Sequence, residues 1–487
     1  MEANSHGSSS QSQSQQLEDE DWLSTMPDDI LLSILGRVDL CMAVRTSVLS
    51  TRWRHLPWLQ HEVSMDVKKF LSFPCPDPIE ENHMEEAMVS LTKATRSFLA
   101  GHHRESTISC LHLELYLINT FLCELGPLIG DAINSGLLKD LGLTVLDETN
   151  PLDRSDEDLL QRAHEIDTFF SAYPSVLSCL TELSLYHADF QKLDMHHVLF
   201  DCCKQLKHLS LCYCDTGTYS VFKIDAPNSK LCSLETDKCR FERIELVCLP
   251  KLEKFACITW TSKYVPVTFG FIPSLQKIRL SCGVSYHEQP FKLSEVLHGT
   301  SLRSLTLDFQ GEILWLQPEL KELRTVFNKL KKLYSCGIFV EFDILWTTAF
   351  LVAAPYIERL CIQVWEHACD VGEFRGDYYG DRPTPQWEMR FDGSENRRLK
   401  VLDFCGFKCL EQQFTFIRSM LERSPNLQKI VLRGDWDCDY CNALDASLRP
   451  SKFPRKKDDQ EMVIKRIKGG GLFSLEIIFD EDSLLKI

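Results

Sequence analysis

A chain of 487 residues is too long for one simple core, so it folds as two or more units or as an open repeat array. Its 44% hydrophobic and 25% charged residues are ordinary for a folded protein. A formal net charge of −17 repels phosphate backbones and anionic lipid, which argues against general nucleic-acid binding and membrane docking.

No apolar run reaches the roughly 18 residues of a membrane-spanning helix. The most apolar stretch, Leu111 to Leu128, is interrupted by Glu114, Asn119 and Glu124. The N-terminus has neither the basic start and apolar core of a secretory signal nor the arginines of a transit peptide. The 21 cysteines are scattered without framework spacing, which predicts reduced thiols in a cytoplasmic or nuclear protein.

Residues 1–17 are Ser, Gln, Gly and Asn, too polar to offset the entropy of ordering, and are expected to be disordered. Over residues 18–62 the pattern turns helical. Pro27 sits at a helix start, followed by Asp28 and Asp29 in the favourable first turn. Ile30, Ile34, Leu35 and Val38 then recur at helical spacing. Asp39 is placed to cap a second short helix carrying Met42, Val44 and Val48, and Ser50 a third carrying Trp53 and Leu56. So small a core invites a partner surface beside Trp53 and Trp58. Residues 63–105 read as a linker opened by Pro74, Pro76 and Pro78, with a short helix near Glu85 to Leu99.

Across residues 106–437 an apolar-x-x-apolar-x-apolar motif recurs. It runs through Ile108/Leu111/Leu113, Leu138/Leu141/Leu143, Leu180/Leu183/Leu185, Leu206/Leu209/Leu211 and Leu252/Phe255/Cys257. It continues as Leu275/Ile278/Leu280, Leu302/Leu305/Leu307, Ile357/Leu360/Ile362, Leu399/Leu402/Phe404 and Leu427/Ile430/Leu432. Leu472/Leu475/Ile477 is a candidate last copy, and weaker copies start at Leu231 and Leu330, where the third position is polar. From Leu180 to Ile357 successive starts lie 21 to 28 residues apart, the period of a leucine-rich repeat. The expected fold class is α/β: a small three-helix segment, then a horseshoe solenoid with a strand on the concave side of each unit and a helix or loop on the convex side. Two longer gaps remain. Residues 147–170 are acidic and read as a solvated loop, and residues 366–398 are rich in Gly, Tyr, Trp and Asp.

The search for chemistry is largely negative. Gly126 and Gly130 have phosphate-loop spacing but no lysine follows, and there is no G-x-S-x-G, H-E-x-x-H or EF-hand pattern. Cys438 and Cys441 have the short spacing that clamps zinc, yet a second pair, Cys405 and Cys409, lies on a different repeat, so no metal is assigned. Cys214 falls where the repeat takes Asn or Cys structurally. His102, His103, His196 and His197 read as surface histidines without ligand-spaced carboxylate or cysteine neighbours. Lys456, Lys457, Lys465, Arg466 and Lys468 read as a solvated turn. A hydrolase using a cysteine would need a base and oxyanion donors that accompany none of them.

Residues 22–59, WLSTMPDDILLSILGRVDLCMAVRTSVLSTRWRHLPWL, resemble an F-box. The resemblance rests on Pro27, Asp28, Ile30, Leu31, Ile34 and Leu35 and continues through Ala43, Ser47, Val48, Leu49, Ser50, Trp53 and Arg54. The whole chain resembles the plant F-box proteins with leucine-rich repeats, and residues 411–487 are similar to the C-terminal FBD-type region of that family, completing the solenoid. Met26 stands where the family usually has Leu before Pro, and methionine adapts to the same apolar pocket.

The resemblance implies a non-catalytic subunit of an SCF-type ubiquitin ligase without a cofactor. Its F-box would dock a Skp-type adaptor, and through it a cullin-RING ligase, while the repeats hold a target protein. The alternative is a leucine-rich-repeat interaction scaffold outside any ligase. Expected adaptor contacts are Met26, Pro27, Ile30, Leu31, Val48, Leu49 and Trp53, with Ile34, Leu35 and Val44 expected to pack internally. Strand side chains alternate faces, so expected substrate contacts are Glu182, Tyr186, His208, Lys277, Arg279, Asp308, Arg359, Gln363, Asp403 and Arg433.

Overall fold

Alternation along each motif sends its leucines to one side of a strand, and one strand cannot bury that row alone. The computed structural model resolves this by stacking. It describes residues 22–38, 40–72, 74, 78–100, 106–149, 154–192, 194–217, 219–260, 262–282, 291–310, 316–317, 319, 321–339, 343–365, 395–434, 453–469 and 474–480. The strands, in chain order, are β1 (Glu62–Asp66), β2 (Ile108–Tyr116), β3 (Leu138–Leu146), β4 (Leu180–Tyr186), β5 (His208–Cys212) and β6 (Val221–Asp225). Next come β7 (Ser233–Asp237), β8 (Arg243–Cys248), β9 (Lys254–Trp260), β10 (Val267–Phe271), β11 (Lys277–Cys282) and β12 (Ser304–Asp308). The last are β13 (Lys332–Phe339), β14 (Arg359–Trp365), β15 (Val401–Cys405), β16 (Lys429–Arg433) and β17 (Glu476–Asp480).

Fourteen of these form one sheet in the order β1-β2-β3-β4-β5-β7-β9-β11-β12-β13-β14-β15-β16-β17, with every neighbouring pair parallel. Leu183, Leu209, Leu234 and Phe255 stand in direct register, and so do Ile278, Leu305, Leu333, Leu360, Leu402 and Ile430. All are buried in one continuous core. The weak copies starting at Leu231 and Leu330 are full rungs, β7 and β13, and their polar third positions, Thr236 and Ser335, are buried. The last copy forms β17 around Leu475 and Ile477, while Leu472 lies outside the described residues.

A left-handed residue follows the third apolar position in several rungs, at His187, Tyr213, Lys238 and Thr259. Glycine takes the same place at Gly337 and Gly406, where a Cβ would strike the backbone at Gln310 and at Val364. The next residue turns back inward. Cys214 donates its thiol to Leu185 O and Cys239 to Leu211 O, so these cysteines link successive rungs. Burial pushes the Cys214 thiol up to about 12, away from nucleophilic reactivity.

Four expectations need correction. Residues 63–105 are not a bare linker: β1 is the first rung, with Val63 and Met65 buried, and a helix from Glu81 to Ala100 buries Met88, Leu91 and Phe98 in the solenoid core. Five-residue alternation was too short a signal to stand out. The convex side carries a second parallel sheet, β10-β8-β6, where the short repeats leave room for a strand instead of a helix. The acidic gap 147–170 is largely a helix, Asp156–Ala172, started by a Ser155–Asp158 capping box that its acidic composition disguised. The basic tail cluster is likewise a helix, Lys457–Lys468, with Val463 and Ile467 buried and Gly469 closing it in the left-handed region.

The histidine reading also changes. His197 Nδ1 lies 3.1 Å from Asp201 Oδ2, and its Nε2 lies 3.5 Å from Cys202 Sγ, because one helical turn brings them together. His102 and His103 lie outside the described residues. So do Cys438, Cys441 and residues 366–394, whereas Cys405 is buried in β15. Gly126 is packing, since a Cβ there would sit 2.5 Å from the Tyr173 ring. No described helix is long and apolar enough to cross a membrane.

Buried charge organises the N-terminal rungs. Asp147, at the end of β3, accepts from Arg154 Nη2 at 2.7 and 2.8 Å and from Thr149 N at 2.9 Å, and lies 3.2 Å from His187 Nδ1. Arg162 crosses beneath it to donate to Tyr186 O and Leu146 O. Burial alone would raise this carboxyl; the His187 hydrogen bond, the Arg162 charge and Arg154 together hold it far below the usual carboxylate range. Asp147→Asn would strand the Arg162 charge, and denaturant titration at pH 7 should register a loss of about 3 kcal/mol. Because the folded carboxyl is depressed, the stabilisation is present above about pH 4 and is lost as the pH falls further.

The opposite sign occurs one rung on. Asp189 and Asp215 are buried side by side, each capping its own turn through Gln191 N and Gly217 N. Burial first, then the hydrogen bond shared with Asp215, pushes Asp189 up to about 6. Ionising it therefore costs stability as the pH rises from about 4 through 6. Asp189→Asn should be about 1–2 kcal/mol more stable than wild type at pH 7, with the difference vanishing below pH 4.

Candidate functional sites

The F-box segment is built on five buried side chains, Leu31, Leu35, Ala43, Trp53 and Leu56, with Met26, Leu32 and Leu59 packed around them. Ser50 caps the third helix by accepting from Trp53 N, as its position predicts, and Asp39 lies outside the described residues. Arg52 ties the ends together, donating to Asp28 Oδ1 at 2.7 Å and to Met26 O. Trp58 stacks on Phe98 with ring centroids 5.0 Å apart, and Leu40 packs on the solenoid core, so the module is seated on the first rungs.

What this small core leaves outside is apolar. Fifteen large hydrophobic side chains are exposed among the described residues, and eight of them lie between Leu23 and Leu49. They are Leu23, Ile30, Ile34, Val38, Met42, Val44, Val48 at 85% and Leu49 at 62%. A folded monomer rarely concentrates exposed apolar surface in this way without a partner.

The expected adaptor residues therefore divide. Pro27, Ile30, Val48 and Leu49 are exposed, whereas Leu31 and Trp53 are core and Met26 is half-buried against it. Ile34 and Val44, expected inside, are exposed, and Leu35 is inside as expected. Helical spacing identifies a stripe but does not say which edge faces so small a core. Trp53→Ala should unfold the module locally, with a cost of about 3–5 kcal/mol visible as early proteolysis between residues 22 and 60.

The second surface is the concave face. His208 and Lys277 are exposed, and Glu182, Tyr186, Arg279, Asp308, Arg359 and Arg433 are half-buried on it. Gln363 and Asp403, expected at the surface, are buried at 6% and 0%. Arg359 covers Asp403 in a two-pronged ion pair at 2.6 and 3.0 Å, so Asp403 holds that arginine in place instead of meeting a ligand directly. Beside it Tyr334, Cys336, Cys361 and Cys405 form a small buried cluster on the same rungs. Arg433 pairs with Asp480 and Arg279 lies 3.7 Å from Asp308. No group of three His, Cys, Asp or Glu able to hold a metal occurs among the described residues.

A family model described as At1g61320/AtMIF1, LRR domain, matches residues 169–457, more than half the chain, and an F-box domain model matches residues 23–57. The chain belongs to the plant-type F-box and leucine-rich-repeat proteins. Among relatives, F-box protein At1g80960 of Arabidopsis thaliana is 45% identical over 49 residues, 10% of each chain. F-box/FBD/LRR-repeat protein At5g22700 of the same plant is 33% identical over 117 residues, 23% of this chain and 22% of its own. These matches span 10% and 22% of the relatives' own length. Among solved structures, the leucine-rich repeat-containing protein LegL7 from Legionella pneumophila aligns over 85% of this chain and 92% of its own at 12% identity, with a TM-score of 0.26.

Proposed function

We propose that this chain is the substrate-recognition subunit of an SCF-type ubiquitin ligase, non-catalytic itself. Its F-box binds a Skp-type adaptor, which carries a cullin-RING ligase, and its concave face binds a target protein. The observation that carries the reading is the concentration of exposed apolar side chains between Leu23 and Leu49 on a module whose own core needs only five residues. Burying such a patch supplies roughly 25 cal/mol per Å² of apolar area, enough for stable docking through a few anchors. The seating of Trp58 on Phe98 supports a receptor role, because a fixed junction presents a target at a defined distance from whatever the F-box holds.

The test is co-expression with a Skp-type adaptor and size-exclusion analysis of the complex. Val48→Asp with Leu49→Asp changes the two most exposed anchors without touching the core, so the variant should stay folded and lose the complex. Retention of the complex in that variant, or none with a folded wild-type chain, would overturn the ligase reading and leave an interaction scaffold.

A further inference from the structure

The sheet register aligns cations across the middle of the concave face. Reading one position across successive rungs gives Lys254 on β9, Lys277 on β11, Ser304 on β12, Lys332 on β13 and Arg359 on β14. Lys254 and Lys277 are direct register partners, and so are Lys332 and Arg359. Parallel strands stand about 4.8 Å apart, so this row extends about 19 Å. Like charges directly opposite one another destabilise a sheet. Lys254, Lys277 and Lys332 are exposed, and no ion pair or side-chain hydrogen bond is found for any of them among the described residues. In a chain of net charge −17, three exposed lysines gathered in one row do not stabilise the sheet that carries them.

Within the row Arg359 is neutralised by Asp403, whereas no carboxylate pairs with the three lysines among the described residues. Glu358 is taken up by Lys331 at 3.0 Å, Asp403 by Arg359, and Asp308 lies nearest to Arg279. Glu253, one residue before Lys254, is exposed and has Arg303 two rungs on as a further cation of the same rim.

We propose that this row binds an acidic peptide segment of the partner protein, laid across β9 to β14 with its carboxylates on Lys254, Lys277 and Lys332. An extended segment of about six residues covers the same 19 Å. A long polyanion fits less well: Glu253 and Glu235 border the row, and the acidic remainder of the molecule repels a continuous phosphate backbone. The inference rests on the repeat face being the partner-binding surface, and it is independent of what the F-box docks.

The experiment is fluorescence anisotropy of the full chain with a fluorescein-labelled ten-residue glutamate-rich peptide, at rising NaCl. Binding should weaken with salt, and Lys277→Glu with Lys332→Glu should reduce affinity at least tenfold. That variant should also be no less stable than wild type to heat, since it relieves repulsion. A charge-matched control, Lys457→Glu with Lys465→Glu on the C-terminal helix, should bind as wild type does. Equal loss in the control, no binding by wild type, or tighter binding of a single-stranded oligonucleotide of equal charge would overturn the proposal. Adaptor complex formation by the same variants separates the two readings: the concave-face variant should keep it, and the Val48 and Leu49 variant should lose it while still binding the peptide.

Discussion

The stacking of apolar rungs in register is the constraint on which everything else in this molecule depends. A strand of five to nine residues with one buried row has no stability alone, and each neighbour supplies the missing side of the next. Once Leu183, Leu209, Leu234 and Phe255 are aligned, the intervening side chains are aligned too, on the opposite face. Burial on one side thus dictates which polar groups meet on the other.

Charge is handled differently at the two ends of this array. Near the N-terminal rungs, Asp147, Arg154 and Arg162 form a buried node from which Arg162 satisfies the backbone carbonyls of Leu146 and Tyr186. Towards the C-terminus, Arg359 and Asp403, and Arg433 and Asp480, are paired across rungs of the concave face itself. Between them the row of lysines stands unneutralised. A solenoid with one continuous buried core tolerates a locally unfavourable charge row, because the repulsion of a few exposed lysines is small against a core of this length.

The F-box segment follows the opposite economy. Five buried residues are few for an independent module, and its surface is apolar where the solenoid's concave face is charged. Trp58, β1 and the Glu81–Ala100 helix tie it into the first rungs, so its marginal core is supported from one side and open on the other. The two surfaces differ in chemistry, and each suits a different kind of partner.

Period and alternation are local properties, so the amino-acid sequence alone determined the rungs, the three-helix segment, the Ser50 cap and the structural place of Cys214. Even the imperfect repeats at Leu231 and Leu330 were legible. Short or disguised signals were not: β1 was only five residues long, the convex strands β6, β8 and β10 stand where a helix or loop was expected, and acidic or basic composition masked two capped helices. Which side of an amphipathic helix is core depends on what packs against it, so only tertiary structure assigned Leu31 and Trp53 inside and Ile34 and Val44 outside. Register across distant segments likewise decided that Asp403 lies beneath Arg359, and that Lys254, Lys277 and Lys332, dozens of residues apart in the chain, belong to one row.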